Sequence, residues 1–342
     1  MGYIIDLDLS SNGKETMQSI QKILVAVTGP GHESASALER AKSLARHHEA
    51  EIELFACVYN QHVAGERFFD TPGLEKARDA MVSAGQKAVD DMAAELSREG
   101  VRASGCAAWD YPIHEGIVRR VMESGADLLI AESTGRNKDK RKRLANTDWQ
   151  LIRTCPCTLL LARSEEWTGY TKIVAAVDPM HDHDKPASLD RRILGAAQLI
   201  ASDYSADLHV LHTFTGTINS GLVSPKPVLM PSEYDEKPVE QAHRDELDKL
   251  VSSYSIPPDR THLLEGNTDD VLPEFVAETG ASLVVMGAVS RSMIKRLLIG
   301  STAEQVLDSL SCDVLVVKPQ NFETQVKAEH RHAVDDGPIY RI

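Results

Sequence analysis

Lys22-Ile23-Leu24-Val25-Ala26-Val27 returns as Lys172-Ile173-Val174-Ala175-Ala176-Val177, 150 residues further along the chain. Three more blocks return at a shift of 155. Ala126-Asp127-Leu128-Leu129-Ile130 comes back as Ala281-Ser282-Leu283-Val284-Val285. Leu151-Ile152 comes back as Val306-Leu307, and Cys157-Thr158-Leu159-Leu160-Leu161 as Cys312-Asp313-Val314-Leu315-Val316. Four blocks in one order mark an internal duplication, two copies of a single fold.

Within each copy, short apolar runs alternate with amphipathic segments. In the first, strands are expected at Lys22–Val27, Glu51–Tyr59, Val101–Ala108, Asp127–Ala131 and Cys157–Ala162. Helices are expected over Ser34–His47, with Ala37, Leu38, Ala41, Leu44 and Ala45 inward, and over Leu74–Glu99, Ile113–Ser124 and Asp148–Arg153. The second copy repeats the series, ending with a helix over Thr302–Leu310 and a strand over Asp313–Lys318. Strands without clean alternation, separated by helices, form a parallel sheet covered on both faces. The expectation is therefore an α/β protein of two tandem doubly wound parallel-sheet domains, residues 20–163 and 171–319. A linker of about 163–171 joins them, residues 1–19 form a flexible N-terminal segment, and 320–342 a flexible C-terminal tail.

Composition narrows the function. The 342 residues suffice for two domains, and 42% hydrophobic content supports real cores. A net charge of −14 argues against nucleic-acid binding, which needs a broad basic surface; the cluster Lys138–Arg143 reads as a solvated loop. The five cysteines are scattered and fit neither a disulfide framework nor a zinc pattern. Core packing is the expectation for them, and a reducing cytoplasm the expected compartment. The N-terminal segment lacks the apolar run of a signal peptide, Asp6 breaks the myristoylation pattern, and no stretch has the length of a membrane span.

In doubly wound sheets, ligands sit beyond the carboxyl ends of the strands. That rim carries Thr28, Asp178, Thr213 and Gly287. After the strand Leu283–Met286 comes Gly287, a polar loop, and then Gly300-Ser301-Thr302 opening a helix. A Gly-Ser-Thr helix start offers unpaired N–H groups and hydroxyls, an anion seat. An ordinary strand exit and helix cap reads the same residues equally well.

These residues resemble the universal stress protein family. Nucleotide-binding members carry Gly-x-x-Gly, nine residues, then Gly-Ser/Thr after a late strand. Gly287, Gly300 and Ser301 match that pattern, Ser290 replaces its second glycine, and Asp178 matches the Asp that ends the first strand. The likeness covers roughly residues 20–319 and implies an adenine-nucleotide alpha-hydrolase-like fold. By that resemblance, Asp178 would hold the base or ribose end of a nucleotide, with Thr213 and Met286 facing the base. Gly287, Ser290, Arg291, Gly300, Ser301 and Thr302 would surround the phosphates of ATP, with magnesium. The first copy departs further: Thr28 stands at the Asp178 position and Ala145-Asn146 at Gly300-Ser301, so its site is degenerate although Gly135-Arg136 persists.

Other chemistry is sparse. The chain has no Gly-x4-Gly-Lys-Ser/Thr loop and no Gly-x-Ser-x-Gly elbow, so no catalytic residues are assigned. His181-Asp182-His183-Asp184 reads as a solvated loop rather than a metal site, and His47-His48 as a helix end. His209 and His212 cannot share one face of a strand, which disfavours a metal between them. The long apolar loop Phe214–Asp235 could cover the Asp178 rim, pack on the first copy, or line a pocket for an apolar ligand. The expected function is a cytoplasmic stress-response protein that binds a ligand or partner without turnover. The alternatives are a carrier of a lipid-like ligand and a weak ATPase. Its two copies would pair as an intramolecular pseudo-dimer through the strands ending at Ala162 and Lys318, with a further homodimer open to it, and no membrane insertion.

Overall fold

The computed structural model describes residues 19–27, 35–63, 72–133, 146–163, 167–180, 188–215, 239–287, 307 and 309–329. They form two compact units, one of Gln18–Thr168 together with the chain from Ser311 onward, the other of Gly169–Leu310. Both are α/β.

In the first unit the order is β1 (Lys22–Val27), α1 (Ala35–His48), β2 (Glu51–Val58), α2 (Pro72–Arg98), β3 (Ala103–Trp109), α3 (Ile113–Ser124), β4 (Leu128–Glu132), α4 (Asn146–Thr154) and β5 (Thr158–Ala162). The strands lie in the order β3-β2-β1-β4-β5, and all four pairings are parallel. In the second unit the order is β6 (Lys172–Ala176), α5 (Ser188–Tyr204), β7 (Asp207–Phe214), α6 (Val239–Val251), β8 (Thr261–Glu265), α7 (Thr268–Thr279) and β9 (Leu283–Gly287). Here the order is β9-β6-β7-β8, again parallel throughout. Over their first four strands the two copies therefore share one order, β3-β2-β1-β4 matching β8-β7-β6-β9.

The central strands are buried along almost their whole length, β1 from Ile23 to Val27 and β5 entirely. This is why they read as continuous apolar runs: helices cover both faces of the sheet, so neither side chain direction meets water. The duplication extends to the joints. Gly125 closes α3 at φ 65° and Gly280 closes α7 at φ 66°, and their N–H groups donate to the carbonyls of Val121 and Val276. A left-handed residue at this position favours glycine, since a Cβ would crowd the backbone. Two residues on, a polar side chain pins the next strand to the first. Asp127 accepts from the N–H groups of Gln21 and Lys22, both at 2.9 Å. Ser282 accepts from the Thr171 N–H at 3.0 Å and donates to the Lys172 carbonyl.

One strand from the second half of the sequence completes the first unit. β10 (Asp313–Val317) runs antiparallel to β5, with Val314, Leu315 and Val316 opposite Leu161, Leu160 and Leu159. Its first residue, Asp313, is 0% exposed. The Asp313 carboxylate receives Nε and Nη2 of Arg40 at 2.9 and 3.3 Å, and the Arg163 N–H at 2.9 Å. Arg40 is as deeply buried, and its guanidinium lies 4.8 Å from the centre of the Trp167 ring. The inward stripe of α1 thus contains an arginine among Ala37, Ala41, Leu44 and Ala45, while Leu38 is only half-buried. Removing one member of such a pair leaves an uncompensated charge in the core. Asp313→Ala should cost about 3–5 kcal/mol in urea unfolding of the first unit, and Arg40→Met combined with Asp313→Leu should recover a large part of that loss.

Candidate functional site

In the second unit the chain leaves β6 toward β7 on one side, and β9 occupies the other. This makes the carboxyl ends of β6 and β9 a topological switch point, where doubly wound sheets open a crevice. The strands end level: Ala176 is paired with Met286 and with Leu211, and the Val177 N–H donates to the Leu211 carbonyl at 3.0 Å. Asp178 follows, half-buried, in the turn that begins with Pro179. Its N–H donates to Asp190 Oδ1 at 3.1 Å, so a buried carboxylate in the first turn of α5 ties the strand exit to the helix start.

Met286 and Gly287 end β9 and are half-buried. A Cβ on Gly287 would stand 2.9 Å from Leu189 Cδ2 and 3.3 Å from Ile193 Cδ1, so α5 rests directly on this glycine. The residue that marks the family motif is therefore also a packing requirement. Thr213, near the end of β7, is half-buried, and its hydroxyl lies 2.6 Å from that of Thr268 in the first turn of α7. The structure thus brings Asp178, Met286 and Gly287 to adjacent strand ends, with Thr213 on the next strand. Ser290, Arg291, Gly300, Ser301 and Thr302 lie outside the described residues, as do His181–Asp184 and most of the loop Phe214–Asp235.

Beneath this rim is a residue the sequence reading did not assign to it. His212 on β7 is 2% exposed, with Nδ1 3.1 Å from the Val177 carbonyl and Nε2 2.8 Å from His243 Nδ1 on α6. The carbonyl can only accept, so His212 carries a proton on Nδ1. This chain buttresses the peptide immediately before Asp178. Nothing local signals it, because His243 is 31 residues away on another element. His209 faces the other way, as strand alternation requires, and its Nδ1 lies 3.0 Å from His262 Nε2 on β8.

The first unit presents a different rim. The registers Ile23↔Leu128 and Ile173↔Leu283 align β4 with β9, which places Glu132 where the second unit has Gly287. Ser133 is buried, its hydroxyl 3.0 Å from Asp148 Oδ2 and its N–H donating to the Ala162 carbonyl. A carboxylate and a closed hydrogen-bond pair thus occupy the strand end. Thr28, Gly135, Arg136 and Ala145 lie outside the described residues. Among the described residues no group of three or more His, Cys, Asp or Glu could hold a metal, and no helix is long and apolar enough to cross a membrane.

A family model described as the universal stress protein family matches residues 19–163 and again 169–318. The chain belongs to the universal stress protein family. It is 24% identical over 315 residues to universal stress protein E of Photorhabdus laumondii, a match covering 91% of this chain and 99% of that one. The protein of the same name in Escherichia coli K12 is also 24% identical, over 92% of this chain and 98% of its own. Among solved structures, PA1789 of Pseudomonas aeruginosa PAO1, described as functionally unknown, is similar with a TM-score of 0.68 at 29% identity. That match covers 89% of this chain and 94% of the other. A universal stress protein from Archaeoglobus fulgidus shares the fold at TM-score 0.65 and 15% identity, over 88% of this chain and 99% of its own. The tandem arrangement read from the repeat is thus that of a two-copy universal stress protein, a family of stress-response proteins.

Two outcomes follow for this universal stress protein. Gly287→Ala should lower stability by about 1–3 kcal/mol, because Leu189 and Ile193 must move to admit the methyl group; thermal unfolding checks it. The His209 and His262 side chains are both held below the ordinary imidazole range by burial, helped at His209 by the charge of Arg260 and at His262 by that of His209. Lys172 acts in the same direction on His209, while Asp207 and Asp259 oppose it. Their folded-state pKa values lie below the unfolded value of about 6.5, so the unfolded chain binds protons first. Stability should be complete above that pH and decline as the pH falls through 6.5 toward the folded values. Urea midpoints between pH 7.5 and 5 should show the decline, and His262→Gln should flatten it.

Proposed function

We propose that this universal stress protein acts in the cytoplasm by binding a small-molecule ligand, without turnover, and that the ligand is an adenine nucleotide held by the second unit. The observation that carries the reading is the contrast at equivalent strand ends. The second unit places Asp178 beside the uncharged Met286–Gly287 end of β9. The first unit has Glu132 at the matching position, where a carboxylate repels phosphate.

In this reading Asp178 accepts from the base or ribose hydroxyls, and the Gly287 backbone lies at the start of the phosphate path. Ser290, Arg291, Gly300, Ser301 and Thr302 would complete that path by family resemblance, and magnesium would accompany ATP. His212 and His243 fix the Val177 carbonyl and hence the direction in which Asp178 leaves β6. No residue group at this rim is assigned as nucleophile or general base.

Millimolar ATP with magnesium should raise the melting temperature of the intact chain. Saturation at about 100 times the dissociation constant corresponds to roughly 2.7 kcal/mol of added stability. Asp178→Asn should remove most of the shift, while Glu132→Gln should leave it in place. No shift with ATP, together with a shift produced by a fatty acid, would replace this reading with the lipid-like carrier. Phosphate release by the purified protein that Asp178→Asn abolishes would instead make it a weak ATPase.

A further inference from the structure

Cys155 and Cys157 flank Pro156 at the junction of α4 and β5, and their sulfurs lie 3.5 Å apart within hydrogen-bonding reach. Both are buried, at 0% and 5% exposure. Lys318, the residue after β10, is buried to 1% exposure in the same unit. Its ammonium donates to the Ile152 carbonyl near the end of α4 and lies 4.4 Å from the centre of the Phe322 ring. An ammonium brought into such surroundings is costly unless an anion accompanies it. The two thiols are the groups whose charge acts on it.

The fold does not demand sulfur here. At the repeat positions of the second copy, Cys312 matches Cys157 but Leu310 matches Cys155, and Leu310 is buried as fully as a core residue should be. An apolar side chain satisfies the packing; of the two copies, only the first carries cysteine at both positions.

The environments of the two sulfurs divide their roles. Burial alone would raise the Cys155 thiol, but the hydrogen-bond contact with Cys157 and the Lys318 charge outweigh it and hold Cys155 below the ordinary thiol value. Cys157, in the same contact, buried, and with its S–H also within reach of the Thr158 carbonyl at 3.4 Å, moves well above it. Burial pulls Lys318 down to about 8, against the opposing effect of the two thiols. Elsewhere in the unit, burial and the Asp110 charge push the Cys57 thiol up to about 12, which leaves it unreactive near neutrality.

We propose that Cys155 and Cys157 form a peroxide-oxidisable dithiol, with the Lys318 ammonium as countercharge to the Cys155 sulfur. Hydrogen peroxide is the oxidant, and its size, close to that of water, suits a buried site. The Cys155 thiolate attacks one peroxide oxygen; the O–O bond breaks, hydroxide leaves, and Cys155 becomes the sulfenic acid. Cys157 then attacks the Cys155 sulfur as its proton passes to the departing oxygen, forming the S–S bond and releasing water. In sum, two thiols and one peroxide yield one disulfide and two waters. The sulfurs need to approach by only about 1.5 Å to reach bonding distance. Oxidation removes the potential anion that Lys318 faces, so the oxidised first unit should hold its core less tightly around β10.

Stoichiometric hydrogen peroxide added to the reduced, folded full chain should lower its mass by about 2 Da, the two thiol hydrogens. Trypsin should then place that loss within the Thr154–Arg163 peptide. Cys155→Ser and Cys157→Ser should each abolish the loss, and Cys155→Ser should leave Cys157 unmodified. Lys318→Met should slow the reaction at least tenfold and move its pH dependence upward, while Lys318→Arg should restore both rate and profile. If Lys318→Met fails to fold, the rate profile of the wild-type chain decides alone, since a Lys318-assisted thiolate reacts below the pH at which an ordinary thiol ionises. The proposal is overturned if the loss occurs only in denaturant, if the wild-type pH profile is that of an ordinary thiol, or if Cys155 proceeds to the sulfinic acid without bridging.

Discussion

A single carboxylate, Asp313, holds the first unit closed. It is fully withdrawn from water, and an anion in that position is tolerable only because the Arg40 guanidinium and the Arg163 N–H converge on it. The geometry fixes where β10 begins, and hence the register in which Val314, Leu315 and Val316 meet β5. Arginine on the buried stripe of α1, which in isolation reads as a fault in the apolar pattern, becomes a requirement once that carboxylate is in place. Lys318, just past the far end of the same strand, is a second buried cation, its ammonium donating to the Ile152 carbonyl.

The duplication preserved the frame and let the rims diverge. The helix-closing glycines, Gly125 and Gly280, and the strand-pinning side chains, Asp127 and Ser282, do the same work in each copy. At the carboxyl ends of the strands the copies part. Glu132 and the Ser133–Asp148 pair stand in one, Gly287 beneath α5 in the other. A frame held by backbone caps and buried strands tolerates such change, because those caps and pinning side chains precede β4 and β9, at the opposite ends of the strands from the rim.

The sheet was legible because its strands are buried on both faces, so that each appears as an unbroken apolar run that the repeat then confirms. Helix limits in the first copy were read to within a residue or two; Ser34–His47 is realised as Ala35–His48. Some partnerships were not legible. The pairing of β10 with β5 was an exception, expected from the way the two copies would meet through the strands ending at Ala162 and Lys318. His212 was weighed only against His209 on its own strand, and its actual partner, His243, comes from another element. Gly287 was read for its openness to a ligand, whereas the close approach of Leu189 depends on how α5 lies on the sheet. Asp178 and Met286 were placed at the strand ends correctly, since position along a strand follows from sequence even where contacts do not.

The chain position of β10 bears on synthesis. β5 is complete by Ala162, but the strand that covers its free side is not made until Val317, after the whole of the second unit. During translation the nascent first unit therefore carries an apolar, unpaired β5 border for some 150 residues of elongation, the kind of surface that recruits wrong neighbours. Asp313 is equally late, so Arg40 waits that long for its carboxylate. The order in which this protein leaves the ribosome makes its first unit the last to be finished.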